Sequence, residues 1–371
     1  MKVKAAVVNG VNTNYSFESL NLAELQHDEV RVRIVATGIC HSDDALRLGH
    51  AGFGFPAVLG HEGAGIVEQV GSSVNHIAKG DHVVLAYAYC SHCNHCLEGI
   101  PAACTDWLSL NWGSLRKDGS AFFTKDDGTA VSNFFHQSSF STYTNVKVSN
   151  VIKVEKDLDL RILGPLGCGL MTGVGTIVNG LQAKPGSSIV ILGTGAVGLA
   201  AMMAAKIAGC STIIAVDIHD SRLALSKELG ATHTINSKNT DVLERVREIT
   251  NQVGVNYSID TTGISDVMKL SLDVLAIRGV AAPIAVTNHD LVLNTLNDLV
   301  ISSKKMIGVL MGATIPQLTI PKMIEFYKNG DFPFDKLIQF YPFEEINQAS
   351  ADSLSGKTIK PVLILDPNYS V

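Results

Sequence analysis

Positive charge is in short supply along this chain. Its 371 residues carry 29 Lys and Arg against 35 Asp and Glu, a net charge of −6. No basic patch stands out, so nucleic acid is not expected as a partner. Internal repeats, low-complexity tracts and Pro- or Ser-rich linkers are also missing, which leaves ordinary globular domains. The opening MKVKAAVVNG enters a strand pattern at once, without the look of a secretory leader, and the expected location is the cytoplasm. One apolar stretch, 189–210, is long enough to span a bilayer, with Lys206 its single charge. Gly193, Gly195 and Gly198 break it into a strand and a helix. It therefore reads as the core of a soluble domain, and no membrane partner is expected.

Cysteine is sparse too, which makes its distribution informative. Of seven, Cys90, Cys93, Cys96 and Cys104 fall within fifteen residues, in CSHCNHCLEGIPAAC. Two-residue gaps let tight turns aim successive thiolates at one point, and the longer gap lets the chain return to close a tetrahedron. Four thiolates with no open position hold zinc for structure. A disulfide-stapled loop is the rival reading. Nothing else in the chain looks secreted, and in a reducing compartment clustered cysteines read as metal ligands. Cys40 and Cys168 lie far apart, in TGICHSD and GPLGCGLMTG, and between them GHEGAGIVEQVG carries His61 and Glu62. Two thiolates and one imidazole leave the fourth position of a zinc ion open to water or substrate, the composition of a catalytic site. Taken singly, each is a weak signal, since a lone Cys is more often a small core hydrophobe. Cys210, at a helix end in KIAGCSTIIAV, keeps that plain reading.

A third constellation lies in the second half. The strand-like SIVIL (188–192) runs into Gly193-Thr194-Gly195-Ala196-Val197-Gly198, then a small-residue helix, then the strand-like TIIAV ending at Asp217. The glycines permit a tight turn, close approach of backbone to a pyrophosphate, and close helix–strand packing. The helix N-terminus offers free N–H groups to phosphate. A carboxylate about twenty residues on accepts from the adenosine ribose and repels a 2′-phosphate, which favours NAD over NADP.

Together these runs resemble the zinc-dependent medium-chain alcohol dehydrogenase family, and within it most closely the aryl (benzyl) alcohol dehydrogenases. GICHSD, GHEGAGIVEQVG, the four-cysteine lobe, GPLGCG, GTGAVG and the closing GKTIKPVLIL carry the resemblance over essentially the whole chain. It implies two zinc ions and NAD per chain, hydride transfer between an alcohol and the nicotinamide, and a homodimer or homotetramer. It implies catalytic zinc ligands Cys40, His61 and Cys168, a proton-relay hydroxyl at Ser42, and Asp43 bonded to the non-ligating nitrogen of His61. It places Glu62 behind the zinc, His41 and Lys360 on the cofactor phosphates, and Arg222 beside the adenosine ribose. Taken alone, Ser42 would be a turn serine, Asp43 a helix cap, and His41, Arg222 and Lys360 surface residues. Three departures matter. Ala45 stands where many members have a relay histidine, and His50 is too far along to replace it. Leu108 stands where glutathione-dependent formaldehyde dehydrogenases carry Arg. Cys168 stands where polyol dehydrogenases have Glu. Ala86, at a position often filled by a bulky aromatic, points to bulky benzylic or allylic primary alcohols as substrates. Short aliphatic or terpenoid alcohols are the alternative. A zinc-binding structural protein without turnover is the competing class.

The expected fold class is α/β: a Rossmann doubly wound parallel sheet plus a β-rich GroES-like catalytic domain. A chain of this length exceeds one core. β alternation fills the first part, as in VRVRIVATG. Residues 106–136 look loop-rich, and strand and helix patterns alternate afterwards. Expected boundaries are 1–169 for the catalytic domain with its zinc lobe, 170–309 for the dinucleotide-binding domain, and 310–371 for a return to the first. A strand is expected over MIGVLMG (306–312) and a helix over PKMIEFYKNG.

Overall fold

A computed structural model describes residues 1–50 and 52–371. The described chain divides into two compact units. One comprises Met1–Cys168, Ile315–Lys322 and Asp335–Val371; the other comprises Gly169–Thr314 and Met323–Phe334.

The first unit is built from two β assemblies. In Lys2–Val8, exposed Lys2 and Lys4 alternate with buried Val3 and Ala5. That strand closes a barrel with Ser16–Leu22, Phe123–Thr124, Ala130–Asn133 and Ala57–Val58. The second assembly runs Val151–Val154, His82–Leu85, Glu62–Val70, Glu29–Gly38, Lys360–Ile364, Ile338–Pro342, with Tyr143–Lys147 also paired to Glu29–Gly38. Its central strand Glu29–Gly38 is buried on both faces. Arg31 is accommodated there because its guanidinium donates to Asn145 Oδ1, Gln69 Oε1 and the Ala23 carbonyl. Residues 106–136 hold only short elements: the helix Trp107–Trp112 and two barrel strands.

A buried ion pair ties that segment to the central strand. Arg116 donates to both oxygens of Glu29, at 2.6 and 2.8 Å, and its guanidinium lies 4.5 Å over the Phe122 ring. Burial alone would raise the Glu29 carboxyl, but His136 and Arg116 hold it at about 2. A carboxyl depressed in the folded state contributes stability above its unfolded value of about 4.3 and loses it as pH falls toward 2. Glu29→Gln should therefore cost about 3 kcal/mol at pH 7, since it strands a buried guanidinium. It should also flatten the loss of stability between pH 4.5 and 2, read from urea midpoints across that range. Equal slopes for wild type and variant would count against this pair as an acid-sensitive element.

The second unit carries a parallel six-stranded sheet in the order His233–Asn236, Thr212–Asp217, Ser188–Leu192, Val255–Asp260, Leu275–Pro283, Lys305–Met306. Numbered along the chain this is 3-2-1-4-5-6, the doubly wound Rossmann order. Its strands are β-branched runs buried among Val190, Leu192, Ile214, Val216, Val255 and Ala281. The apolar stretch 189–210 is a strand, a glycine turn and the buried helix Ala196–Ile207. Over 306–312 the expected strand shrinks to Lys305–Met306. It is the sheet edge, held from one side only, and the chain turns away at Gly312, whose φ is +67°. The expected helix near the C-terminal side runs Pro316–Lys328. Among the described residues no single helix is long and apolar enough to cross a membrane; one bent pair, Leu160–Gly167 with Gly169–Gly180, passes by length and composition alone.

Candidate functional site

Cys40 caps the short helix His41–Arg47, His61 precedes the strand Glu62–Val70, and Cys168 follows the turn Gly164–Gly167. These three ends converge: the ligand atoms of Cys40, His61 and Cys168 lie within 4.8 Å of one another. His61 is fully buried, with Nδ1 3.0 Å from Asp43 Oδ1. Asp43 is itself fixed by the backbone N–H groups of Gly60, at 2.9 Å, and Cys40, at 3.0 Å. A ring that donates from Nδ1 presents its lone pair on Nε2, and that buried atom has no hydrogen-bond partner. An orphaned buried acceptor costs about 1–3 kcal/mol. A metal ion taking the lone pair removes that cost, so the donor set fits zinc. The hydrogen bond from Cys168 draws the Cys40 thiol well below its ordinary range, while the same contact and burial push Cys168 up.

Glu62 is fully buried beside His61. Lys360, expected on a phosphate, is 3% exposed and spends its ammonium on Glu62 Oε1 and Oε2, at 2.9 and 2.8 Å, and on the Ile39 carbonyl, at 3.0 Å. Burial would lower its pKa, but the charges of Glu62 and Cys40 raise it, so it stays an ammonium. Ser42 is half-buried with Oγ 3.8 Å from Cys40 Sγ, and His41 is exposed.

Sequence reasoning missed the rings that surround His61. The Phe135 ring lies 4.6 Å from it, tilted by 30°, and Phe134 stands edge-on at 5.1 Å. Phe53 and Trp112 pack on Phe134, and Trp107 packs on Phe135. Phe135 and His136 have φ of +57° and +49°, so the backbone bends sharply to present the pair. The available signal was the loop-rich run holding both tryptophans.

Cys90, Cys93, Cys96 and Cys104 form a second cluster within 4.8 Å. The Sγ atoms of Cys90 and Cys96 are 3.9 Å apart, and all seven cysteines are free. That spacing is far beyond a disulfide and close to the roughly 3.8 Å between thiolates placed tetrahedrally about 2.3 Å from zinc. Backbone N–H groups of Cys93 and Cys90 point at the sulfurs of Cys90 and Cys104, each at 3.3 Å, as partners for thiolate charge.

In the second unit, Gly193 has φ +91°, and a Cβ on Gly198 would lie 2.0 Å from the Gly193 carbonyl oxygen. Gly195 caps the helix Ala196–Ile207, and a Cβ there would meet nothing within 4 Å. The space before this helix N-terminus is thus open to a phosphate, with free N–H groups facing it. Asp217 ends its strand 7% exposed, held as an anion: burial raises it, and bonds from Thr194 and His219 with the Arg222 charge lower it further. Arg222 is half-buried in the first turn of the helix Asp220–Leu229.

Comparison with known proteins agrees with this geometry. Residues 26–156 match the alcohol dehydrogenase GroES-like domain, and 196–329 match the zinc-binding dehydrogenase domain. A geraniol dehydrogenase of Castellaniella defragrans is 37% identical over 367 residues, 98% of each chain. The crystal structure of an alcohol dehydrogenase zinc-binding domain protein from Burkholderia ambifaria superposes with a TM-score of 0.95 at 45% identity, covering 99% of each chain. That of benzyl alcohol dehydrogenase from Acinetobacter calcoaceticus gives 0.94 at 42% identity, covering 99% of this chain and 100% of that one.

Proposed function

This chain belongs to the zinc-binding alcohol dehydrogenase family, and we propose that it is an NAD-dependent member acting on bulky benzylic or allylic primary alcohols. Cys40, His61 and Cys168 hold the catalytic zinc, and the four-cysteine cluster holds a structural one. Bound there, zinc supplies Lewis acidity toward an alcohol or aldehyde oxygen, and NAD accepts or returns the hydride. Asp43 keeps His61 in its ligating tautomer. Ser42 takes the substrate proton, and with Ala45 in place of histidine the proton leaves through water. The N–H groups after Gly195 take the pyrophosphate, and Asp217 and Arg222 take the adenosine ribose. Lys360 is assigned to Glu62, since its three donors are already used. The first unit is the catalytic domain and the second binds the dinucleotide. The protein acts in the cytoplasm as a homo-oligomer. Exposed Ile277, Val292, Leu296, Val300 and Ile301, on the run leading to the sheet edge, support self-association.

The observation that carries the substrate class is the aromatic pair Phe134 and Phe135 against His61, with the small, fully buried Ala86 tied to Phe135 through Asn150, whose Nδ2 donates to both their carbonyls, at 2.8 and 2.9 Å. A flat ring gains edge and face contacts there that ethanol lacks. Burying about 100 Å2 more apolar surface is worth on the order of 2.5 kcal/mol, or roughly 70-fold. The relatives named for geraniol and benzyl alcohol point the same way. Rates of NADH formation at 340 nm with benzyl alcohol, geraniol and ethanol test this. We expect kcat/KM for benzyl alcohol to exceed that for ethanol by about 100-fold, and Ala86→Phe to remove most of the difference. Comparable values for the two alcohols in the wild type would defeat the assignment.

A further inference from the structure

The carboxylate of Asp217 has a full set of donors around it. Oδ2 accepts from the Thr194 N–H at 2.8 Å and the Thr194 hydroxyl at 2.7 Å. Oδ1 accepts from the Ile218 N–H at 2.7 Å and the His219 N–H at 2.9 Å. An ionised carboxylate offers about four acceptor directions, and these donors use them. Three are backbone groups, fixed by the strand end and by the turn at Gly193. The fourth is a hydroxyl that rotates about one bond. Thr194 is fully buried between the first two glycines of the fingerprint, at a position to which the phosphate-binding logic assigns no task.

We propose that Thr194 is a positioning residue that sets the affinity of Asp217 for the adenosine ribose of NAD. Its hydroxyl holds Oδ2 in the free protein and yields that place when a ribose hydroxyl donates to the carboxylate. The inference rests on reading Asp217 as the ribose acceptor. The exchange is uphill on the protein side, because the displaced hydroxyl is buried and loses a charge-assisted bond. Without that hydroxyl, the ribose meets a carboxylate oxygen that is already vacant. NADPH gains nothing comparable, because its 2′-phosphate replaces the donor with an anion that Asp217 repels.

The test is fluorescence titration of zinc-loaded protein with NADH and NADPH. Thr194→Ala, which removes the hydroxyl and leaves its place empty, should tighten NADH about fivefold, leave NADPH unchanged, and so raise the discrimination about fivefold. Thr194→Val, whose methyl fills that place, should not tighten NADH, and Thr194→Ser, which keeps the hydroxyl, should match the wild type. Failure of the wild type to bind NADH would overturn the underlying cofactor reading. Wild-type binding with an unchanged or weakened constant in Thr194→Ala would overturn the proposal alone. Equal tightening of NADH and NADPH would also overturn it, since packing and not the ribose hydroxyl would then be responsible.

Discussion

Replacing Cys168 by serine should lower kcat/KM at least about 10³-fold while leaving the protein folded. Cys168 is one of three groups that converge with Cys40 and His61, and it enters from a turn, not from a strand of the sheet. A serine hydroxyl is a poor zinc ligand beside a thiolate, so the open site should lose its metal. The four-thiolate cluster lies in a separate stretch of chain and should keep its own. The variant should therefore carry one zinc per chain where the wild type carries two. Its thermal midpoint should move by only a few degrees. Cys93→Ser predicts the reverse. A closed all-thiolate site contributes folding free energy outright, and the short elements around it, Asn94–Leu97 and Pro101–Ala103, are too brief to stand alone. That variant should give little soluble protein. Zinc content by mass spectrometry, melting curves and rates on the same preparations decide the matter. One zinc or none in freshly purified, chelator-free wild type would sink the two-site reading.

How much of this could be read from residues alone depends on the range of the constraint. Cys90 to Cys104 and Gly193 to Gly198 are legible because turn geometry acts over a few residues, and only certain spacings aim thiolates or N–H groups at one point. The alternating elements of the second unit are legible for the same reason, apart from the edge strand near 306, where pairing on one side left little to hold it. The Glu62–Lys360 pair was not legible. Its partners lie 298 residues apart and belong to strands separated by Glu29–Gly38. They meet because Gly38 opens a notch: a Cβ there would sit 2.0 Å from Glu62 Oε2. No local pattern announces that. The rings over His61 were hidden in the same way, since the left-handed backbone at Phe135 and His136, which presents Phe135 and its neighbour Phe134, is not revealed by composition. In both cases a local rule names a residue type and the strand order decides what it touches.

Asp217→Gly should turn the cofactor preference over. In the wild type we expect NAD to be favoured by at least about 100-fold in kcat/KM, because the carboxylate accepts from a ribose hydroxyl and repels a phosphate. Removing it does more than delete that repulsion. The N–H groups of Thr194, Ile218 and His219 and the Thr194 hydroxyl now converge on the carboxylate from both sides. Without it they converge on empty space, with the Arg222 charge close enough to have depressed Asp217. A set of convergent backbone donors beside a guanidinium is a phosphate site. The variant should therefore lose about 10- to 100-fold in NAD affinity and gain at least tenfold for NADP. It should also unfold at lower temperature, by several degrees, until NADP or inorganic phosphate is added, because stranded buried donors each cost about 1–3 kcal/mol. Binding of both dinucleotides by titration, with melting curves in the presence and absence of phosphate, reads each part separately. A wild type with equal kcat/KM for the two cofactors would refute the role of Asp217. A variant that loses NAD without gaining NADP would show that its donors collapse onto one another when the carboxylate is gone.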